Sequence, residues 1–309
     1  PWLPEGGNPD SGGFMAMTYS VGSQNVTVLF PDPSEGQGDN EIIKSFTFTC
    51  DLRVGNGSTE RPADGFSVSL ARDSDPLLAD PENVATGDFA GGIPEGGSTT
   101  GIAVSFDTWA GNALPDGADI EGIIVRVDNK TILREGLPTR HGACDDATSL
   151  QTGPRDADYW ADGGDPNDPE VWQDLCWQPF EIAITADAQL TVSWKGNKIL
   201  DGFQTDWFAT KGQIIFAGRT GGSNESTHVD NLSLTAVLVP EDPPAPPPSN
   251  LEAPLVGAGF VQLTWDASDT TDAVAYQVEK DGVLLPVVTA TEYWDYAVLP
   301  ESSYTYRVQ

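Results

Sequence analysis

The sequence predicts an all-β protein of two sandwich domains in series, and three observations carry that prediction. Apolar residues alternate with polar ones, as in Phe46-Thr47-Phe48-Thr49, or gather in short Val/Ile/Phe/Leu runs, and they do not follow helical spacing. The 309 residues include 33 Gly and 24 Pro, enough turn formers to cut the chain into many short strands. The proline-dense stretch 239–249 favours an extended, semi-rigid spacer, which separates a large domain, residues 1–238, from a small one, residues 250–309.

In the first domain, strands are expected at 14–20, 25–30, 43–50, 65–71, 101–108, 121–127, 180–185, 189–194, 213–217 and 228–238. So many short strands without a convincing helix make a two-sheet sandwich the economical architecture. The alternation stops over residues 135–176, an acidic insert carrying Asp145, Asp146, Asp156, Asp158, Asp162, Asp165, Asp168 and Asp174. A loop of that length is uncommon unless it is functional or held by something. Its carboxylates suit either a bound calcium ion or a solvated loop. Trp160, Trp172 and Trp177 suit either stacking on a sugar ring or anchoring in a core.

Composition excludes several function classes. With 47 acidic and 15 basic side chains the net charge is −32, and such a polyanion repels phosphate backbones, so general nucleic-acid binding is not expected. The excess is spread over the chain: residues 239–309 hold 11 acidic and 2 basic side chains, and residues 1–238 hold 36 and 13. No run of about 18 apolar residues occurs, so no membrane span is expected, and the start at Pro1 shows no charged-then-apolar leader. The 39% hydrophobic content is enough to bury a sizeable core. Cys144 and Cys176 flank the acidic stretch and can pair in an oxidising compartment, whereas Cys50 ends a strand-like run and reads as a free, half-buried thiol. Asn25, Asn56, Asn129, Asn224 and Asn231 each begin an N-x-Ser/Thr sequon.

Three segments, read together, carry a family resemblance. They are Pro62-Ala63-Asp64-Gly65-Phe66-Ser67-Val68-Ser69-Leu70, Gly101-Ile102-Ala103-Val104-Ser105-Phe106-Asp107-Thr108-Trp109, and Phe216 to Asn224 running into Val229-Asp230-Asn231-Leu232. In order and spacing they resemble the L-type lectins, the concanavalin-like jelly-roll sandwiches of the legume lectins, and most of all the bacterial extracellular members. The resemblance covers roughly residues 12–238. It implies a cis peptide at Ala63-Asp64, with Asp64 accepting hydrogen bonds from two sugar hydroxyls. It further implies that Asp107, the Trp109 carbonyl, Asn112 and Asp116 hold calcium, an all-oxygen set suited to a hard cation, with Asn112 also reaching the sugar. Gly91-Gly92 and Gly221-Gly222-Ser223 match the family's glycine-bearing sugar loops, where a missing side chain lets backbone N–H groups approach a ligand.

The sequence departs from the legume pattern at the second metal. Ser105 and Asp119 stand where legume lectins carry the glutamate and histidine that hold a transition metal, so none is expected. Asn112 falls one residue later than the legume spacing. Without the resemblance, Asp64-Gly65 reads as a turn entering a strand, and the run Asp107 to Asp119 as either a cation loop or a polar hairpin connection. Enzyme chemistry is not expected. Hydrolases with this sandwich set carboxylates as E-x-D-x-E or E-x-D-x-x-E on one strand, and Ser105-Phe106-Asp107 offers a single one. His141 and His228 lie in no catalytic motif and read as surface and strand residues.

Residues 253–309 resemble a fibronectin type III domain through Val261-Gln262-Leu263-Thr264-Trp265, Ala275-Tyr276-Gln277-Val278 and Leu299 to Val308. Trp265 is then the core tryptophan, and Leu299 with Tyr304 the corner at which a tyrosine hydroxyl returns to the backbone. The final strand of that fold is missing before Gln309, which is expected to leave an open edge, filled by more chain or by a strand of another molecule. The functional expectation is a secreted or surface-bound, non-enzymatic adhesion protein binding glycans with calcium. The alternatives are a structural subunit of a filament or coat, built from copies of itself, and the targeting portion of a larger hydrolase.

Overall fold

Strands form where the sequence alternates. In the computed structural model, which describes all residues except 10–11, 34–40, 59–61, 80–93, 111–119, 140–142, 154–167, 169–171, 242–247 and 269–274, the chain falls into two compact units, Pro1–Glu241 and Asp242–Gln309. The first unit contains β1 (Trp2–Leu3), β2 (Phe14–Thr18), β3 (Gln24–Leu29), β4 (Glu41–Gly55), β5 (Gly65–Arg72), β6 (Ile102–Asp107), β7 (Gly122–Val127), β8 (Lys130–Gly136), β9 (Gln178–Ile184), β10 (Gln189–Trp194), β11 (Asn197–Gln204), β12 (Gly212–Thr220) and β13 (Ser226–Pro240). They pair into one sheet ordered β1-β2-β13-β4-β9-β10-β11 and another ordered β3-β12-β5-β6-β7-β8, with every pairing antiparallel. The chain crosses repeatedly between the two sheets, giving an all-β jelly-roll sandwich. Helical structure among the described residues is confined to one turn at Pro76–Ala79 and a 3-10 turn at Pro94–Gly96. No helix among them is long and apolar enough to cross a membrane.

The core lies between the sheets. Along β4, Phe46, Phe48, Cys50 and Leu52 point inward while Thr47 and Thr49 point away. At its centre Phe66 stacks on Phe106 at 4.4 Å, and Phe106 meets Phe180 and Trp194 edge-on at 5.2 Å. Each such side chain contributes about 1.5–3 kcal/mol by burial. Cys50 is fully buried, and burial, reinforced by the charge of Asp51, pushes its thiol well above the usual range.

Unlike β4, strands β5 and β6 are buried on both faces, because the segment 94–100 covers their outer side. Ser67 Oγ donates to the Pro94 carbonyl (2.6 Å), Ser105 Oγ donates to the Gly96 carbonyl (3.1 Å), and Ser69 Oγ accepts the Ser98 N–H (3.1 Å). The serines alternating with apolar residues therefore fasten this cover, which carries Glu95 over the sheet.

The insert is partly built into the domain. Ser149–Gly153 are buried, Thr152 N–H donates to the Val54 carbonyl at 2.8 Å, and Lys195 Nζ donates to the carbonyls of Asp146 (2.9 Å) and Gln151 (2.5 Å). Cys144 and Cys176 are disulfide-bonded across 5.5 Å between Cα atoms. Trp172 and Trp177, with Phe14, enclose the Arg53 guanidinium at 4.3–4.5 Å, so these two tryptophans are anchors; Trp160 lies outside the described residues. Burial lowers Arg53 to about 9. Its Nε donates to His228 Nδ1 (3.1 Å), and burial next to that cation keeps His228 neutral. Asn56 and Asn224 are fully buried, so these two sequons are closed to modification in the folded protein.

In the second unit, β14 (Ser249–Gly257), β15 (Phe260–Asp266), β16 (Val278–Lys280), β17 (Val283–Leu284), β18 (Glu292–Asp295) and β19 (Tyr306–Val308) form two three-stranded sheets, β14-β15-β18 and β17-β16-β19. Trp265, Tyr276 and Val278 are buried between them, and the Leu299 N–H donates to the Tyr304 hydroxyl at 2.8 Å. The strands reach closer together in sequence than the spacer 239–249 suggests, since β13 runs to Pro240 and β14 starts at Ser249.

Candidate functional site

Where β5 begins, the peptide bond between Ala63 and Asp64 is cis. The Asp64 N–H donates to the Arg219 carbonyl and the Asp64 carbonyl accepts the Thr108 N–H, both at 3.1 Å, so the residue is clamped between β12 and the chain leaving β6. Gly65 adopts φ 134°, and a Cβ there would meet the Phe106 carbonyl at 2.2 Å, so only glycine fits this turn.

Asp64 is buried, with 11% of its side chain exposed. Its Oδ1 lies 3.5 Å from Arg219 Nη2, while its Oδ2 is buried with no hydrogen-bond partner among the described residues. A Cβ on residue 221 would stand 2.9 Å from that Oδ2, so the glycine leaves room for the carboxylate where it sits. Ala63, Asp64, Trp109, Gly222 and Ser223 line a depression of about 310 Å³ over the carboxylate. Burial raises the Asp64 carboxyl above its ordinary value, against the pull of Arg219.

Arg219 is itself held. Its Nε donates to both carboxylate oxygens of Glu95 (2.9 Å) and its Nη2 donates to Oε1 (2.7 Å). Burial of Arg219 lowers its pKa, but the bonds and charge of Glu95, followed by Asp64 and Asp107, more than reverse this. The guanidinium is therefore a fixed cation beside Asp64.

Beneath lies Glu225, fully buried. Its Oε1 accepts the Thr108 hydroxyl at 2.7 Å, and its Oε2 has no partner among the described residues. Burial pushes its carboxyl up to about 8; the Thr108 bond opposes this, and the charges of Asp64 and Glu121 add to it. Glu121 accepts the N–H and hydroxyl of Thr139, whose Oγ1 also lies 3.3 Å from the Thr108 carbonyl oxygen. Asp107 ends β6 buried, with Oδ1 accepting the Trp109 N–H at 3.1 Å.

The fold thus brings Asp64, Asp107, Trp109, Gly221, Gly222 and Ser223 to one end of the sandwich. Gly91, Gly92, Asn112 and Asp116 lie outside the described residues. Glu95, Arg219 and Glu225 are not singled out by the sequence; Arg219 and Glu225 are charged residues in or beside strands β12 and β13, while Glu95 sits in the Pro94–Gly96 turn with no such signal. The donors collected at this end are carboxylate, carbonyl and hydroxyl oxygens, the chemistry of a hard cation, and orphaned Oδ2 and Oε2 atoms fit such an ion. Among the described residues no three His, Cys, Asp or Glu side chains converge to hold a metal, so a calcium site would need Asn112 and Asp116 to complete it.

No protein-family model matches the chain. Among curated proteins it is similar to an α-amylase of Niallia circulans, with 32% identity over 89 residues, which is 28% of this chain and only 7% of that protein's length. Similar solved structures include the exoplasmic/lumenal domain of VIP36 bound to Ca2+ and Man3GlcNAc, with 14% identity over 78% of this chain and 86% of that one (TM-score 0.40). The carbohydrate recognition domain of Emp47p is 12% identical over 76% and 88% (TM-score 0.38). Lectin I-B4 of Griffonia simplicifolia, in its metal-free form, is 12% identical over 77% and 92% (TM-score 0.40).

Proposed function

We propose that the protein is an extracellular, non-enzymatic adhesion protein whose first unit, an L-type lectin-like sandwich, binds glycans at the Asp64 end with the help of calcium. The observation that carries this reading is the Asp64 carboxylate: fixed by backbone bonds on both sides, it lines a depression beside Gly222 and Ser223, and one of its oxygens is left without a hydrogen-bond partner among the described residues. A carboxylate so placed accepts hydrogen bonds from neighbouring sugar hydroxyls, and these charge-assisted bonds are the strong ones. Trp109 supplies apolar surface for the sugar's C–H face, and Ser223 a further polar group. Asp107 and the Trp109 carbonyl, with Asn112 and Asp116, would hold the calcium ion, which supplies positive charge beside this carboxylate cluster. One such site binds weakly, so adhesion would come from repetition on a surface. The second unit, read as a fibronectin type III-like module, serves as a spacer.

A glycan array of the intact protein, run with and without a chelator beside Asp64→Ala, tests this. Chelator-sensitive binding that the variant loses supports the lectin reading, and a blank array in calcium refutes it. One observation favours a filament or coat subunit as a second reading: β14 is an edge strand with Leu251, Leu255 and Val256 exposed, a template for pairing with another chain. Polymers seen by size analysis that survive saturating sugar would favour that reading.

A further inference from the structure

We propose a second saccharide-binding site at the opposite end of the sandwich, in the cleft where the β7–β8 hairpin meets the end of β11. The strand registers place the two ends. Gly65, Asp107 and Gly122 stand side by side at the Asp64 end, while Arg72, Gly101 and Asp128 stand together at the other. Strand β5 links them over about 23 Å.

The cleft has a volume of about 480 Å³ and is walled by Val127 and Ile132 on the hairpin side and by Phe203 on β11. Phe203 is 43% exposed, which leaves apolar surface free for the C–H face of a sugar. Lys130 and Asp206 meet across the opening at 3.6 Å, with 75% and 91% of their side chains exposed. An exposed pair of that kind is worth little to the fold, so its ammonium donor and carboxylate acceptor are free to exchange each other for hydroxyl groups of a ligand.

The wall is preformed. Gln204 Nε2 donates to the Asp187 carbonyl and Thr205 Oγ1 to the Ala188 carbonyl, both at 2.9 Å, which fixes the chain between Phe203 and Asp206. Farther along the same connection Phe208 is 59% exposed, with the Arg72 guanidinium 3.5 Å from its ring centre and held there by Asp128 at 2.8 and 2.9 Å. Phe203 in β11 and Phe208 in the chain that follows it, both exposed, suit an oligosaccharide rather than a single sugar. This site does not depend on the Asp64 reading. With both occupied, one molecule bridges two glycan chains without dimerising.

The test is saturation-transfer NMR on the intact protein with maltohexaose, cellohexaose and chitohexaose, in chelator and with Asp64→Ala to silence the first site. At least one oligosaccharide is expected to remain bound, to bind at least about tenfold more weakly when Phe203→Ala is added, and to be restored by Phe203→Trp. Both Phe203 variants alter an exposed side chain, and an unchanged melting temperature confirms the fold. The proposal is overturned if Asp64→Ala in chelator binds none of the three, or if what it binds is indifferent to Phe203→Ala. Asp64-independent, Phe203-dependent binding would uphold it even where the array fails to show the first site.

Discussion

Replacing Glu225 by glutamine isolates the electrostatics beneath the Asp64 depression. The Glu225 carboxyl is pushed from its usual 4.5 to about 8 by burial, with Asp64 and Glu121 adding to the effect. A raised carboxyl gives its full stabilisation below about pH 4.5, where folded and unfolded chains both hold the proton. As the pH rises the unfolded chain ionises first, so stability is lost until the folded carboxyl also ionises near 8. At about 1.4 kcal/mol per pH unit, the loss between pH 5 and 8 amounts to roughly 3–4 kcal/mol. Glutamine cannot ionise, and its carbonyl keeps the acceptor for the Thr108 hydroxyl. Its amide N–H2 falls where Oε2 has no partner, a cost of about 1–3 kcal/mol that is the same at every pH. Urea unfolding of wild type and Glu225→Gln at pH 5, 6, 7 and 8, with chelator present, should therefore give curves that diverge in favour of the variant as pH rises. Parallel stability profiles would refute the burial argument, since every other titrating group is common to both proteins.

Two further variants probe the site and its frame. Gly221→Ala places a methyl 2.9 Å from Asp64 Oδ2, so the carboxylate must shift; the change should weaken glycan binding by calorimetry at least about tenfold while leaving the melting temperature within a few degrees, because the side chain of one site residue moves and the strands do not. The double change Cys144→Ser with Cys176→Ser opens a loop with a sequence separation of 32 and should cost about 3–4 kcal/mol in urea unfolding. An unchanged midpoint would mean that the Thr152 and Lys195 bonds hold the insert unaided.

The strands that read clearly from the sequence are those that pack on the core, on one face or on both. β4, β9, β10 and β13 show the alternation, and β5 and β6 show serines between apolar residues. The strands missed were β1, β8 and β11. β1 is only two residues long, and β8 and β11 are sheet edges whose Lys130-Thr-Ile-Leu-Arg-Glu and Asn197-Lys-Ile-Leu-Asp-Gly patterns are set by hydrogen bonding to a neighbour more than by burial. At the candidate site, Asp64 and Gly221 were legible through their motifs. Glu95 and Glu225 were not, because their roles arise from contacts across the fold, to Arg219 and Thr108, which local pattern does not encode.

The long central pair of strands has a mechanical consequence. β13 runs antiparallel beside β4 from Ser226, next to the Asp64 end, to Pro240 at the far end, and the chain leaves the unit there. Tension applied through the spacer enters along the axis of β13, so its ladder bonds to β4 are loaded together in shear instead of being unzipped one after another. The pull also arrives from the end of the sandwich farthest from Asp64. A ligand held at the Asp64 end would thus be strained along the strands, the direction in which a sheet resists best.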